Sequence, residues 1–277
     1  MENSPRIIML GSGAALATRR YNTCFVVDAG SDPLLVDAGG GNGILSQLDK
    51  AQARLTDIHH MFITHIHTDH ILGAVWVTRM AIQLMHDRRY NGTFTVLSHA
   101  KALRALDTIC RATLPQIDID HFERDVIFRE VTDGETVPIG SADYTFFDIG
   151  SPKETQFGFS VNLPGGGGRL VCLGDEPFRE PARRYARHAD WLMCEAYCLY
   201  QDRDRFEPYK KHHSTALDAG ATAASLNVRR LILYHTEDRT PAPLRQAAYA
   251  AEARRHFQGP VIVPDDLDTI TLAPGRD

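Results

Sequence analysis

Three histidines and one aspartate follow a short apolar run, and no other feature constrains the fold of this chain as strongly. After residues 58–63 come His65, His67, Asp69 and His70. Imidazole nitrogens and carboxylate oxygens suit Zn²⁺, Fe or Mn. A loop at a strand end can turn His65 and His67 to one side and Asp69 and His70 to the other, which favours two neighbouring metal ions. The alternative is a polar helix cap that happens to be rich in histidine.

The rest of the chain alternates apolar strands, polar loops and helices. We predict strands at 7–10, 23–27, 34–36, 58–63, 94–98, 126–131, 144–148, 157–163, 170–173, 231–234, 261–263 and 269–272. We predict helices at 44–53, 73–86, 99–112, 179–190, 214–227 and 241–257, and a hairpin loop at 164–168. Both halves share this character and no linker divides them. The sequence therefore predicts one α/β domain, residues 1–277, with sheets between helices.

Composition narrows the classes of function. Of the 277 residues, 30 are Lys or Arg and 35 are Asp or Glu, so the formal net charge is −5. Proteins that wrap long nucleic acid need clustered cations, so nucleic acid is an unlikely partner. Five scattered cysteines do not predict a disulfide framework. Neither a signal peptide nor a membrane span is evident, and we expect a cytoplasmic protein.

The histidine motif and the later motifs together resemble a known family. A His-x-His-x-Asp-His sequence after a strand is the hallmark of the metallo-β-lactamase superfamily. The shorter matches, taken in their order, resemble the ribonuclease Z branch, which also holds cyclic phosphodiesterases. These matches lie at residues 10–13, 36–39, 173–175, 194–196, 213–215 and 231–236. The resemblance implies the metallo-β-lactamase fold, an α/β four-layer αββα sandwich.

The resemblance also implies which side chains bind metal. His65 and His67 would bind a first ion, and Asp69 and His70 a second. The second ion would also take His235, and Asp175 would bridge the two; Asp175 and His235 each follow an apolar strand. The expected cofactor is Zn²⁺, as one or two ions, with Mn²⁺ or Fe as alternatives.

Catalytic roles are implied for three residues. His213 matches the histidine that gives a proton to the leaving oxygen, and Glu195 matches the carboxylate that orients it. Such a carboxylate fixes the imidazole tautomer. Asp69, with Asp175, would hold the attacking hydroxide. The alternative for His213 is a helix-cap neighbour, because Ser214 or Thr215 can begin a helix with an acidic first turn.

The sequence departs from the family pattern at two places, and the first departure weakens the first metal position. The superfamily supplies a third histidine to that ion before its Phe/Tyr-Gly-Phe/Tyr strand, but residues 148–156 contain no histidine. Asp148 or a water could take its place near Gly150, and a carboxylate would favour Mn or Fe over zinc. Glu176 follows Asp175 where a small residue is commoner. It could bind metal, accept a hydrogen bond from substrate or, as we expect first, cap a turn.

These features predict a metal-dependent hydrolase that uses a metal-activated water. The expected substrate is a small, anionic phosphodiester or cyclic phosphate, because the chain lacks the arm with which tRNA-processing relatives grip tRNA. Lys210 and Lys211 lie near the predicted site and could attract an anion. One alternative is a lactone or ester hydrolase, with Tyr197, Tyr200 or Tyr209 over the carbonyl. Another is a degenerate, non-catalytic metal-binding or sensor protein. The resemblance also allows a homodimer.

Overall fold

Fourteen strands form the core of the part of the chain that the structure describes. The computed structural model describes residues 4–273. The strands are β1 (Arg6–Gly11), β2 (Cys24–Asp28), β3 (Leu34–Val36), β4 (His60–Phe62), β5 (Phe94–Ser98), β6 (Val126–Glu130), β7 (Thr136–Ile139), β8 (Ala142–Asp148), β9 (Phe157–Leu163), β10 (Gly168–Cys172), β11 (Trp191–Glu195), β12 (Arg230–Tyr234), β13 (Val261–Ile262) and β14 (Thr269–Thr271).

The strands form two seven-stranded sheets. The first has the order β14-β1-β2-β3-β4-β5-β6, and the second has the order β13-β12-β11-β10-β9-β8-β7. In each sheet one part is antiparallel and the other is parallel: β3 to β6 in the first sheet, and β10 to β13 in the second. Parallel strands need crossover connections, and helices supply most of them.

Helices cover the outer faces of both sheets. They are α1 (Gly43–Lys50), α2 (Thr68–His86), α3 (Ala100–Thr113), α4 (Gln116–Ile119), α5 (Arg183–Ala186), α6 (Arg203–Phe206), α7 (Ala216–Ser225) and α8 (Ala242–Ala253). The first four pack on the first sheet, whereas α5, α7 and α8 pack on the second. No helix within residues 4–273 is both long and apolar enough to cross a membrane.

Strand β1 shows why two helical layers are needed. Its side chains alternate between faces: Ile7 and Met9 pack between the two sheets, while Ile8 and Leu10 pack under the helices of the first sheet. Both faces are therefore apolar and both must be covered. Phe62 and Phe146 meet across the space between the sheets, with ring centroids 4.6 Å apart. The predicted αββα sandwich is confirmed.

The structure corrects the predicted start of the second helix. We predicted that a helix begins at residue 73, after the histidine motif, but α2 begins at Thr68. His67 has an extended backbone and is the residue before the first turn. Asp69 and His70 therefore lie inside that turn, where a carboxylate interacts favourably with the helix dipole.

The prediction for 179–190 is wrong over most of its length. Only Arg183–Ala186 is α-helical there, after a single 3₁₀ turn that contains Pro181. Directly after this predicted helix, residues 191–195 form β11, which the sequence analysis did not assign. All of β11 is buried, so it lacks the alternation that marks a strand. Strand β7 was also missed; it is an edge strand and therefore tolerates Pro138.

Candidate metal centre

The predicted metal ligands lie at one edge of the sandwich, where parallel strands of both sheets end. Binding sites of α/β sheets form at the carboxyl ends of such strands. Strand β4 leads into the loop that holds two of the histidines, and the first turn of α2 follows directly. Asp175 follows β10 and His235 follows β12. The structure thus brings six side chains together: His65, His67, Asp69, His70, Asp175 and His235.

Within this centre, one set is the His65–His67 group, which consists of His65, His67 and Asp175. Each residue offers one ligand atom, and these atoms all lie within 4.8 Å of one another. His65 Nε2 and His67 Nδ1 are 2.8 Å apart. Asp175 Oδ2 lies 3.6 Å from His65 Nε2. Two imidazole nitrogens and a carboxylate oxygen therefore face one small volume.

The second set is the Asp69–His70 group, which consists of Asp69, His70 and His235 and meets the same 4.8 Å limit. His70 Nε2 lies 3.3 Å from Asp69 Oδ2 and 3.3 Å from Asp175 Oδ2. His235 Nε2 lies 3.5 Å from the same Asp175 oxygen. Asp175 Oδ2 thus stands beside both groups, as a bridging ligand would.

The chemistry of these atoms fits a divalent cation. His70 Nε2 is buried and has no hydrogen-bond partner, although such an orphaned atom costs about 1–3 kcal/mol. Burial opposes ionisation of the Asp69 carboxyl, but the neighbouring His70 and His235 outweigh it and hold its pKa below the ordinary value. Neutral imidazoles and ionised carboxylates are the forms that bind zinc.

Outer partners orient three of the histidines. Asp37 Oδ2 accepts a hydrogen bond from His70 Nδ1 at 2.7 Å. Thr23 Oγ1 lies 2.9 Å from His235 Nδ1, and Thr64 Oγ1 lies 2.9 Å from His65 Nδ1. For His70 and His235 these partners select the tautomer whose other nitrogen can bind metal, whereas His65 Nδ1 also faces Gln156 Nε2 at 2.9 Å. The sequence analysis gave none of the three a role, although Asp37, like Asp175, follows an apolar strand end.

The segment that lacks a histidine places an amide at the centre instead. Asp148, the substitute ligand considered above, uses Oδ1 to accept from the Gly150 backbone N–H at 2.8 Å and belongs to neither group. Gln156 is 1 % exposed. Its Nε2 lies 2.9 Å from His65 Nδ1 and donates a hydrogen bond to Asp175 Oδ1. The sequence analysis missed this residue because no motif marks it.

His213 lies beside the ligand cluster. Its Nδ1 lies 2.9 Å from the backbone carbonyl oxygen of Asp175, and its ring centroid lies 5.3 Å from that of His235. The ring stacks on Tyr197 with centroids 5.0 Å apart. Burial and the neighbouring His235 lower the pKa of His213 to about 3. The predicted helix start is also present, since Thr215 caps α7.

Glu195 contacts the backbone around His213 rather than its ring. It is fully buried, and its Oε2 lies 3.7 Å from His213 Nδ1, beyond hydrogen-bond distance. Its carboxylate accepts from the backbone N–H groups of Ser214 and Tyr197. Burial raises the pKa of Glu195 well above its ordinary value. The positioning of His213 therefore runs through the backbone of Ser214, the residue after it, and through the Asp175 carbonyl.

Glu176 belongs to neither metal group. Its Oε1 accepts from Ser151 Oγ at 2.9 Å and lies 3.7 Å from Lys153 Nζ. Lys153 Nζ also donates to the Lys211 carbonyl oxygen at 3.0 Å. Glu176 thus ties the 148–156 segment to the strand end that holds Asp175, through side-chain contacts and not as the turn cap expected first.

The three candidate tyrosines differ in position. Tyr197 stacks on His213, and Lys211 Nζ lies 3.3 Å from its hydroxyl. Tyr209 donates its hydroxyl hydrogen to Asp218 in the first turn of α7. Tyr200 packs against the Arg203 guanidinium, 4.0 Å from its ring centroid. Of the three, Tyr197 is the one that adjoins the ligand cluster.

Comparison with known proteins assigns the family. Residues 5–180, more than half of the chain, match the family described as anti-Pycsar protein Apyc1. The chain belongs to this family. Its fold and motifs also make this Apyc1-family chain a ribonuclease Z-like protein of the metallo-β-lactamase superfamily, as the resemblance predicted.

Individual relatives agree with this assignment. A ribonuclease Z from Bradyrhizobium sp. (strain ORS 278) is 29% identical, over 96% of this chain and 99% of the relative. The metallo-β-lactamase fold protein YhfI from Bacillus subtilis has a TM-score of 0.76 at 17% identity, over 97% of this chain and 99% of YhfI. Human tRNase Z, short form, has a TM-score of 0.73 at 20% identity, with the same coverage. These findings support a metal-dependent hydrolase.

Proposed function

We propose that this Apyc1-family chain hydrolyses a phosphodiester bond in a small anionic molecule, such as a cyclic phosphate. One observation carries the proposal: two groups of metal-ligating side chains meet at the Asp175 carboxylate, and the ring of His213 lies against the same residue. The relatives named ribonuclease Z support phosphodiester chemistry. The net charge of −5 favours a small substrate over long nucleic acid.

The proposed cofactor is Zn²⁺, held by the His65–His67 group and the Asp69–His70 group. Bound divalent ions lower the pKa of a water to about 7 and neutralise charge that develops on the phosphoryl oxygens. The protein contributes fixed ligands, because three of the histidines have outer partners. Asp69 contributes a carboxylate that can accept a hydrogen bond from the attacking water.

His213 is the proposed proton donor to the leaving oxygen. Its Nδ1 donates to the Asp175 carbonyl oxygen, so Nε2 is the nitrogen that exchanges a proton with substrate. The low pKa leaves the free ring neutral, so Nε2 first takes up the proton that the attacking water releases and then gives it to the leaving oxygen. Tyr197 holds the ring from one face, and Glu195 fixes the backbone at Ser214. An alkoxide leaving group needs this proton, whereas a p-nitrophenolate leaves without it.

Two lysines near the site support an anionic substrate. Lys211 Nζ lies 5.1 Å from the centroid of the Tyr197 ring that stacks on His213. Lys153 binds the backbone of Lys211 and approaches Glu176. The two lysines are therefore joined to each other on the His213 side of the centre, where they could attract an anion.

His213→Ala tests the assignment. We expect this substitution to slow hydrolysis of alkyl phosphodiesters and cyclic nucleotides by about 10²–10⁴-fold, and that of bis-p-nitrophenyl phosphate far less. His212→Ala is the matched control, since His212 is adjacent but exposed. Turnover is measured on these substrates, on a tRNA precursor and on a lactone. If the tRNA precursor is cleaved faster than the small phosphodiesters, the substrate is RNA and the proposal of a small substrate is wrong.

A lactone or ester hydrolase is the second candidate, because Tyr197 adjoins the cluster and its hydroxyl faces Lys211. Tyr197→Phe separates the two functions. If lactone turnover is lost in this variant and retained in His213→Ala, the phosphodiesterase proposal is wrong. If neither phosphodiesters nor esters react after zinc or manganese is added, the chain is a non-catalytic metal-binding protein.

A further inference from the structure

The two halves of the metal centre offer different numbers of donors. The Asp69–His70 group has three ligands of its own and lies within 3.5 Å of Asp175 Oδ2 through His70 and His235. The His65–His67 group has two imidazoles and depends on the same Asp175 oxygen, at 3.6 Å, for a third donor. A metal ion at the Asp69–His70 group would therefore have more protein ligands than one at the His65–His67 group.

The imidazoles are also held differently. His70 and His235 each have an outer partner on Nδ1, Asp37 and Thr23. His67 is half-buried, and within residues 4–273 its side chain hydrogen-bonds only to His65. Loss of an outer partner typically costs a ligand 10–100-fold in metal affinity.

Gln156 adds a third difference, because its amide favours the tautomer of His65 in which Nε2 carries the hydrogen and cannot bind metal. Nε2 donates to Asp175 Oδ1, and its second hydrogen faces His65 Nδ1 at 2.9 Å. The opposite amide orientation would put the oxygen against the Asp175 carboxylate, so charge selects the orientation present. When Gln156 donates to His65 Nδ1, the ring hydrogen of neutral His65 lies on Nε2, the nitrogen that should bind metal.

His65 must therefore change partners before it can bind metal. In the ligand tautomer, Nδ1–H donates to Thr64 Oγ1, whose own hydrogen goes to Asp37. Two N–H groups would then face each other at 2.9 Å, and the Gln156 amide would have to turn away. Among residues 4–273, its oxygen Oε1 has no hydrogen-bond partner, so no hydrogen bond on that atom resists the movement.

We propose that Gln156 makes the two metal positions unequal, with a tight ion at the Asp69–His70 group and a weak, exchangeable ion at the His65–His67 group. This inference rests on the proposed function only in assuming that the centre binds metal. The second ion would join at high metal concentration or together with an anionic substrate.

Zinc titration of the purified full chain tests the inference. Isothermal titration calorimetry should resolve one tight equivalent per chain and a second that binds at least tenfold more weakly. Dialysis against a weak chelator, followed by mass-spectrometric metal analysis, should leave one zinc ion. Two equivalents of equal affinity would overturn the inference, whereas no bound zinc would overturn the proposed function as well.

Two substitutions test the role of Gln156. Gln156→Glu replaces the donor with an acceptor for His65 Nδ1–H, and Gln156→Leu removes the donor without adding a ligand. The affinity for the second equivalent should increase about tenfold or more in the Glu variant and less in the Leu variant, with the first unchanged. Gln47→Leu is the control, because Gln47 is also buried but donates to the Leu10 carbonyl, away from the centre.

Circular dichroism establishes that each variant folds. If Gln156→Leu does not fold, Gln156→Met takes its place, because it also removes the donor and adds no carboxylate. If the folded variants bind the second zinc ion as weakly as the natural chain, Gln156 is not the cause of the inequality and that part of the proposal fails.

Discussion

The two sheets supply the metal centre in different ways. The first sheet contributes four ligands from one stretch of six residues, His65 to His70, and the first turn of α2 fixes two of them. The second sheet contributes Asp175, Gln156, His213 and His235 from four separate segments. The first half of the centre is therefore local, whereas the second exists only when several strand ends are packed in register.

Backbone contacts between the two sheets lock these halves together at the centre. The Phe157 N–H donates to the Thr64 carbonyl oxygen at 3.0 Å, which joins the segment of Gln156 to the histidine loop. Thr236 N–H donates to the Ser12 carbonyl oxygen at 3.0 Å and fixes the residue after His235. The dispersed ligands are therefore positioned by the packing of one sheet on the other, whereas the local ligands are positioned by a single loop and helix turn.

The largest effect is expected from Asp175, because its carboxylate lies beside both the His65–His67 group and the Asp69–His70 group. Asp175→Asn keeps the size of the side chain but removes the charge beside His65, His70 and His235. We expect zinc affinity and phosphodiester turnover to fall by more than the roughly 10–100-fold typical of an outer partner. Metal analysis and kinetics on bis-p-nitrophenyl phosphate measure both.

Asp148→Asn is the control for that experiment. Asp148 is the aspartate of the segment without histidine, and its Oδ1 accepts from the Gly150 N–H. Zinc content should remain at the natural level in this variant. An equal loss of zinc in both variants would mean that Asp148, and not Asp175 alone, binds the ion.

The local half of the centre is also the half that the sequence could predict. His65 to His70 form a dense motif after an apolar run, so their chemistry is visible without a structure. The sandwich follows from buried strands that alternate with helices, and it is confirmed. Asp175 and His235 could be placed only by resemblance, since a single Asp or His after a strand is common. Gln156 and Thr23 carry no motif, and their roles depend on contacts between distant segments.

An intermediate effect is expected from Asp37, which holds the local half. It accepts from His70 Nδ1 at 2.7 Å and from the backbone and side chain of Thr64, each at 2.8 Å. Asp37→Asn suits its backbone, which has a φ of 54°. The asparagine amide, however, has only one acceptor oxygen, whereas the two oxygens of the Asp37 carboxylate accept from three donors. Calorimetry should show zinc affinity reduced about 10–100-fold. An unchanged affinity would show that the Asp37 carboxylate does not orient His70 for the metal.

The smallest effect is expected from Thr23, which joins the two halves. Its Oγ1 donates to the Gly13 carbonyl oxygen at 3.0 Å and lies 2.9 Å from His235 Nδ1, so it accepts that hydrogen. Thr23→Val keeps the shape and removes the oxygen, and should weaken the tight zinc ion by about tenfold, the lower end for an outer partner. Thr23→Ser keeps the oxygen and should bind zinc like the natural chain. Since His235 belongs to the Asp69–His70 group alone, a loss confined to the weak ion would contradict the assignment of His235.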